Sequence, residues 1–534
     1  MGSKSRGSGR GNKGVFTIDD SLRPECPECL EPMKRNGVRD FKCTPCKKTI
    51  SRGAVVKSRI EEDYNKLGYD QDLAEDAAAS ILSAYKDGCK RFVVTSAQNN
   101  TGTFNAFLAS LKAYCKHNKA KLIIIPSHYK NVTAFDKADE KEWNKELIPH
   151  LCHGDIQLGS VLIRSHIKIN ATTVNPLQGK QAHGGHNWVV FGHPQHAMQC
   201  VPTPSDLMPK KMYTTGSCTK RNYSQTDIGE KGAFNHVFGA LSINFKDGVE
   251  YPFIRQLNAD DNGSFYDLDK RYTTKGVSKG HKIEALTTGD EHAIYNIVAN
   301  ETYLDKNSIA KTLKPKYIVR HDLFDAYSVS HHHEKNPLLQ FKKFHSGMAD
   351  CRNELDKTIE FINKTNLKDA KTLFVASNHV DHLDQWLNRA NPNKDFINAQ
   401  LIHELRQKQM ESTLKDEDKE AFQLYAEGKI KIKHQFLSRN EPCMIGDVDH
   451  SQHGDVGVNG SRGSARGLAK STFKMTIGHS HSPMIEKGVY QVGTSTGRLE
   501  YERGLSTHCN THCIQYKNGK RTLIDIIGGH WREK

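Results

Sequence analysis

Short apolar runs, each ending in a polar cluster, punctuate the chain from Arg91 onward. The run RFVVTSAQNN (91–100) is continuous rather than alternating and predicts a strand buried on both faces. TFNAFLASLKAYCKH (103–117) carries apolar residues at helical spacing and predicts an amphipathic helix, and KLIIIPSHYK (121–130) predicts a second buried strand. Strand, helix and strand make a βαβ unit, hence a small α/β domain over 56–149. Just upstream, RIEEDYNKLG and DLAEDAAASILSAYKDG predict helices, each stopped by a glycine. The texture changes over 150–280. There GSVLIRSHIKI, NWVVFGH and ALSINFKDG read as short β runs between turns, a β-rich segment with no role of its own in view. The closing HCIQYKNGKRTLIDII predicts a hairpin turning at KNGK.

Composition narrows the class. No run of roughly 18 apolar residues occurs, so no membrane span is expected. The opening MGSKSRGSGRGNKG lacks an apolar stretch, which excludes a secretory signal and predicts a basic disordered tail over 1–20. With 76 Lys and Arg against 61 Asp and Glu, the net charge is +15, which favours a polyanionic partner, nucleic acid first. Most of the 13 cysteines are scattered singly, as in a reduced, cytoplasmic protein. Four are not. Cys26 and Cys29 form one CxxC, and Cys43 and Cys46 form another within the same short stretch. Two such knuckles complete a tetrahedral S₄ site, so residues 21–55 are expected to be a zinc ribbon holding one structural Zn²⁺. His183, His186, His193 and His196 leave a second metal site open, but their spacing is irregular. They are expected to be exposed or satisfied by hydrogen bonds.

From 282 onward, five apolar runs deliver five polar clusters. IEALTTGDEHA carries Asp290 and His292; KYIVRHDLFDA carries Asp322 and Asp325; TLFVASNHVDHLD carries Asn378 and His379. MIGDVDHSQHGDVGVNG carries His450 and His453, and TIGHSHSP carries His479 and His481. Strands rising through a buried sheet present such residues at their C-terminal ends, where α/β architectures place their sites. Carboxylates mixed with imidazoles and no thiolate suit Mn²⁺, Fe or Zn²⁺.

The order D-x-H, D-x-x-D, N-H, a lone His and G-H-x-H is similar to that of the calcineurin-like metallophosphoesterases over about 282–500, within a domain expected at 281–534. The resemblance implies a β-sandwich flanked by helices and a dinuclear centre of two divalent ions, with Mn²⁺ favoured. It assigns Asp290, His292 and His481 to one metal and Asn378, His453 and His479 to the other, with Asp322 bridging. His379 would stand over the phosphate as charge stabiliser and proton donor. Two departures stand out: His321 sits where the family has Gly, and the acid after N-H is displaced to Asp381, a candidate partner for His379.

The fold does not choose the substrate. The charge, the zinc ribbon and the basic loop NGSRGSARGLAK, with Arg462, Arg466 and Lys470 to grip phosphates, favour DNA. Nothing resembles a base-reading pattern, so cleavage would be largely sequence-independent. The organisation also resembles the early DNA-degradation proteins of T5-like bacteriophages, which implies a nuclease in the host cytoplasm; homo-oligomers are compatible with it. Two other classes stay open: a phosphatase or cyclic-nucleotide phosphodiesterase of the same family, and a nucleic-acid-binding protein with a degenerate site.

Overall fold

The computed structural model describes residues 33–36, 40–51, 67–68, 71–129, 143–500 and 502–534. Contacts divide the chain into two units, Met1–Leu67 and Gly68–Lys534. In the first, Lys34–Asn36, Asp40–Lys42 and Thr49–Ser51 form a three-stranded antiparallel sheet. Cys43 leaves the middle strand, and the Cys46 amide donates to its Sγ at 3.4 Å. Cys26, Cys29 and the expected basic tail lie outside the described residues.

The second unit is a mixed α/β structure built on three large sheets. A four-stranded sheet has the order Phe253–Asn258, Gly239–Asn244, Arg91–Gln98, Lys121–Ser127. A six-stranded sheet has the order His434–Leu437, Lys371–Val375, Tyr317–Arg320, Ala285–Thr287, Thr511–Gln515, Arg521–Asp525. Its first four strands are parallel, and its last two are the hairpin legible at KNGK. A ten-stranded sheet begins Met444–Ile445, Val448–Asp449, Lys474–Ile477, Val489–Gln491, Met484–Glu486. It continues Ala197–Val201, Lys210–Thr214, Trp188–Phe191, Val161–Ile163, Ile156–Leu158.

These orders correct the expected division at 149/150 and 280/281. Arg91–Gln98 pairs with Gly239–Asn244, and Ala197–Val201 pairs with Met484–Glu486. Although Phe265–Asp267, Lys270–Thr273 and Gly276–Lys279 form a three-stranded antiparallel sheet of their own, most strands of 150–280 share sheets with strands elsewhere in the chain. One apolar core bears this out, joining Phe92, Val94, Trp188 and Ile243 to Ile485, Tyr490, Cys513 and Leu523.

Helices cover the parallel edge of the six-stranded sheet. Cys351–Lys364, Asn378–Arg389, Ala399–Leu414 and Ala421–Ala426 bury Leu355, Leu383, Leu405 and Tyr425 in one cluster with Phe374. Among the described residues, no helix is long and apolar enough to cross a membrane.

Candidate metal centre

Five loops at strand ends converge here. The segment 290–293 runs beside 321–323: Glu291 N–H donates to the His321 carbonyl, His292 N–H to that of Asp322 and Ala293 N–H to that of Leu323. Gly478 N–H donates to the His453 carbonyl, which ties the last two motifs together. Ser377 caps the helix Asn378–Arg389, so Asn378 and His379 stand in its first turn, just past the strand Lys371–Val375. Between Asp290 and His292, Glu291 turns the opposite way. It is buried and paired with Arg320 at 2.5 Å, and it also accepts from Thr288 and Tyr303. That anchor fixes the loop from behind.

All seven expected ligands are drawn into one place. His481 Nε2 lies 3.3 Å from Asp290 Oδ2 and 3.1 Å from His292 Nε2. His453 Nε2 lies 3.0 Å from Asp322 Oδ2, and His479 Nδ1 lies 3.1 Å from Asn378 Oδ1. The His453 and His479 rings are 5.3 Å apart. Three groups among the described residues have the compactness of cation sites: Asp290 with His321 and His453, Asp322 with His292 and His481, and Asp325 with His292 and His379. Through His453 as well as His292 and His481, Asp322 meets both expected ligand sets, and Asp290 likewise meets His481 and His453.

Several observations fit a cation. Both oxygens of fully buried Asp290, Asp322 Oδ1 and His321 Nε2 have no hydrogen-bond partner. Buried carboxylate oxygens left so are costly unless a positive charge meets them. Burial, only partly offset by His453, pushes the Asp290 carboxyl up to about 7. Desolvation acts to lower His453 and His292, yet the carboxylates around them win and hold both at about 9. His292, Asp322, His479 and His481 have φ of +37°, +44°, +76° and +56°. Left-handed backbone at non-glycine residues costs of order 1–3 kcal/mol each and gathers at functional sites. Gly478 must stay bare, because a Cβ there would lie 2.2 Å from Asp290 Oδ1.

His379 Nδ1 is 2.6 Å from the Asp325 carbonyl oxygen, so it carries the proton and donates. Its other nitrogen remains for the cleft that His379 lines. The Asp325 carboxylate meets His292 Nδ1 at 2.6 Å and comes within 3.9 Å of His379. Asp325 thus orients a ligand and the candidate proton donor together. The sequence placed Asp381 in that second role. Instead Asp381 pairs with Arg439 at 2.9 Å, and Arg439 also grips Asp455. One helical turn carries Asp381 to that guanidinium, away from the His379 Nδ1 contact. His321, read only as a departure from Gly, joins the cluster, its Nδ1 3.2 Å from His453 Nδ1. His450 turns aside to Gln515 at 2.8 Å.

The cleft over the centre has a volume of about 1210 Å³, and Arg462 and Arg466 line it alongside His479 and His481. Lys470 is exposed and is not among the lining residues. His332, His333 and His382 add imidazoles to the wall, and the sequence signal for two of them was the HHH run at 331–333. A larger cleft of about 1400 Å³ opens beside Ala399–Leu414. It holds no histidine, and its acids Asp384, Glu417, Asp418 and Glu420 are matched by Arg320, Arg406, Lys419 and Arg439.

No family model matches the chain. Over 480 residues it is 31% identical to Protein A1 of Escherichia phage T5, covering 85% of each chain. The chain belongs to the Protein A1 family. Among solved structures, that of Chaetomium thermophilum Vps29 aligns with 36% of this chain and 95% of its own, at 11% identity. Its TM-score of 0.18 is too low to inform the fold. Membership in the Protein A1 family places the chain among T5-like phage proteins, in keeping with the second resemblance drawn from sequence. The name of that relative states no activity, so the chemistry of this Protein A1 relative rests on its site.

Proposed function

We propose that the chain is a calcineurin-like metallophosphoesterase that hydrolyses DNA phosphodiesters at a dinuclear centre, with little sequence preference. The observation that carries this reading is the convergence of Asp290, His292, Asp322, Asn378, His453, His479 and His481, with both Asp290 oxygens and Asp322 Oδ1 buried and without a hydrogen bond. Asp290, His292 and His481 would hold one cation, Asn378, His453 and His479 the other, and Asp322 both. Such a pair of ions, Mn²⁺ by preference, supplies charge neutralisation and an acidified water for attack on phosphorus. The protein supplies the rest. Asp325 holds His379 Nδ1–H in place, so the protonated ring can pass its Nε2 proton to the departing oxygen. Arg462 and Arg466 meet the backbone phosphates, consistent with the +15 charge. Cys43 and Cys46, with their amide-to-sulfur bond, support a zinc ribbon completed by Cys26 and Cys29.

The test is incubation with plasmid and linear DNA across Mn²⁺, Mg²⁺, Zn²⁺ and EDTA, beside para-nitrophenyl phosphate esters. DNA cleavage that needs a divalent ion is expected. Turnover of the small esters with indifference to DNA would assign a phosphatase. DNA binding with steep salt dependence but no cleavage would assign a degenerate binder.

A further inference from the structure

The ten-stranded sheet reads the same from both ends. Outward from its middle, Met484–Glu486, Val489–Gln491, Lys474–Ile477, Val448–Asp449 and Met444–Ile445 match Ala197–Val201, Lys210–Thr214, Trp188–Phe191, Val161–Ile163 and Ile156–Leu158. Each step has the same sense on both sides: antiparallel, parallel, parallel, antiparallel. At the seam Met198 pairs with Ile485, flanked by Ala197 with Glu486 and Gln199 with Met484. Met198 faces Tyr213 as Ile485 faces Tyr490, so equivalent residues meet each other, as a two-fold axis requires. The four-stranded sheet likewise matches Arg521–Asp525, Thr511–Gln515, Ala285–Thr287 and Tyr317–Arg320, the last four strands of the six-stranded one, in order and sense.

The likeness extends to single hydrogen bonds. Asp290 N–H donates to the Gly493 carbonyl, and Ser96 N–H to that of Gly216. Thr494 Oγ1 donates to the Asp290 carbonyl at 3.1 Å, and Ser217 Oγ to that of Ser96 at 3.1 Å. Thr494 and Thr496 hydroxyls meet at 2.9 Å, those of Ser217 and Thr219 at 2.8 Å. Once the structure sets the frame, the sequence follows. MYTTGSCTKR (212–221) parallels VYQVGTSTGR (489–498), and QLGSVLIRSH (157–166) parallels MIGDVDHSQH (444–453).

We infer that residues 91–258 are a second copy of the fold that carries the candidate centre, stripped of its metal site and retained as a built-in partner subunit. Ser96 stands where Asp290 stands. Counting from the matched pairs Val93–Leu122 and Thr287–Val319, Ile125 stands where Asp322 does. A Cβ on Gly192, the match of Gly478, would strike Ile125 and approach Ser96, as one on Gly478 would strike Asp290. Both carboxylates are therefore gone. Ser96 gives its hydroxyl to the Gly216 carbonyl at 2.7 Å. His193, the match of His479, donates through Nε2 to the Asn170 carbonyl, and His196 Nε2 donates to that of Thr215. Those nitrogens carry protons and cannot ligate. What the copy retains is the seam: it covers the edge strand Met484–Glu486, which would otherwise offer an open ladder.

The metal-free half of this inference rests on the dinuclear reading; the copy itself does not. Two measurements on the full chain test it. In metal counting after gel filtration, His479→Ala should lower Mn²⁺ affinity at least ~10-fold, while His193→Ala keeps the wild-type count. A folded His193→Ala protein that sheds Mn²⁺ would overturn the inference. A wild-type chain with no Mn²⁺ would refute the dinuclear reading instead and leave the partner-subunit claim to the second measurement. In native-state hydrogen exchange, the strands of 91–258 and of 285–525 should open together. Independent opening of the two halves would overturn the partner-subunit claim.

Discussion

Gly478 concentrates the physics of the centre in one missing methyl. Alanine there would push its Cβ into Asp290 Oδ1, so Gly478→Ala should weaken Mn²⁺ binding at least ~10-fold in calorimetry while the fold survives. His379→Ala should retain both metals yet lose turnover by about 10²–10⁴-fold, the range for a positioned proton donor. Undiminished turnover would remove His379 from the mechanism. The ligands were legible because each follows a short apolar run, and strand ends are where side chains escape the core. Asp325 was visible in the D-x-x-D spacing but earned no role, because its partners His292 and His379 are distant in sequence. Asp381 misled because adjacency to His379 suggested contact, whereas the helix beginning at Asn378 turns it toward Arg439.

Loops and their anchors decide whether the ligands stay aimed. Removing the carboxylate in Glu291→Ala would strand the buried Arg320 charge and should cost about 3–5 kcal/mol in urea unfolding, with metal affinity falling as the loop loosens. The strand-loop that carries His193 and His196 behaves differently. Burial lowers the His196 imidazole to about 4, below its ordinary value. The unfolded chain then binds more protons than the folded one between pH 6.5 and about 4, so this residue's contribution is full above that window and drains away as pH falls through it. The stability advantage of wild type over His196→Gln should therefore be largest above pH 6.5 and shrink toward pH 4. An advantage that grows on acidification would contradict the buried neutral ring. In sequence these histidines looked like irregular extras, and the structure satisfies both on backbone carbonyls.

At the scale of the molecule, the sequence yielded strands but not their partners. Ala197–Val201 finds Met484–Glu486 more than half the chain away, and no local pattern announces such a pairing. The result was a division into domains that the sheets ignore. The resemblance to metallophosphoesterases was carried by residues of the C-terminal half, whereas the N-terminal half has Ser96 and Ile125 at the matching positions and so looked featureless. Both halves together contribute to one apolar core and to the cleft beside Arg462 and Arg466. Anomalous X-ray scattering from crystals soaked in Mn²⁺ addresses the whole arrangement at once. Two peaks about 3.5–4 Å apart, astride Asp322 and within reach of Asp290 and Asn378, are expected. No peak at Asp322, or a pair seated elsewhere, would contradict a dinuclear phosphodiesterase.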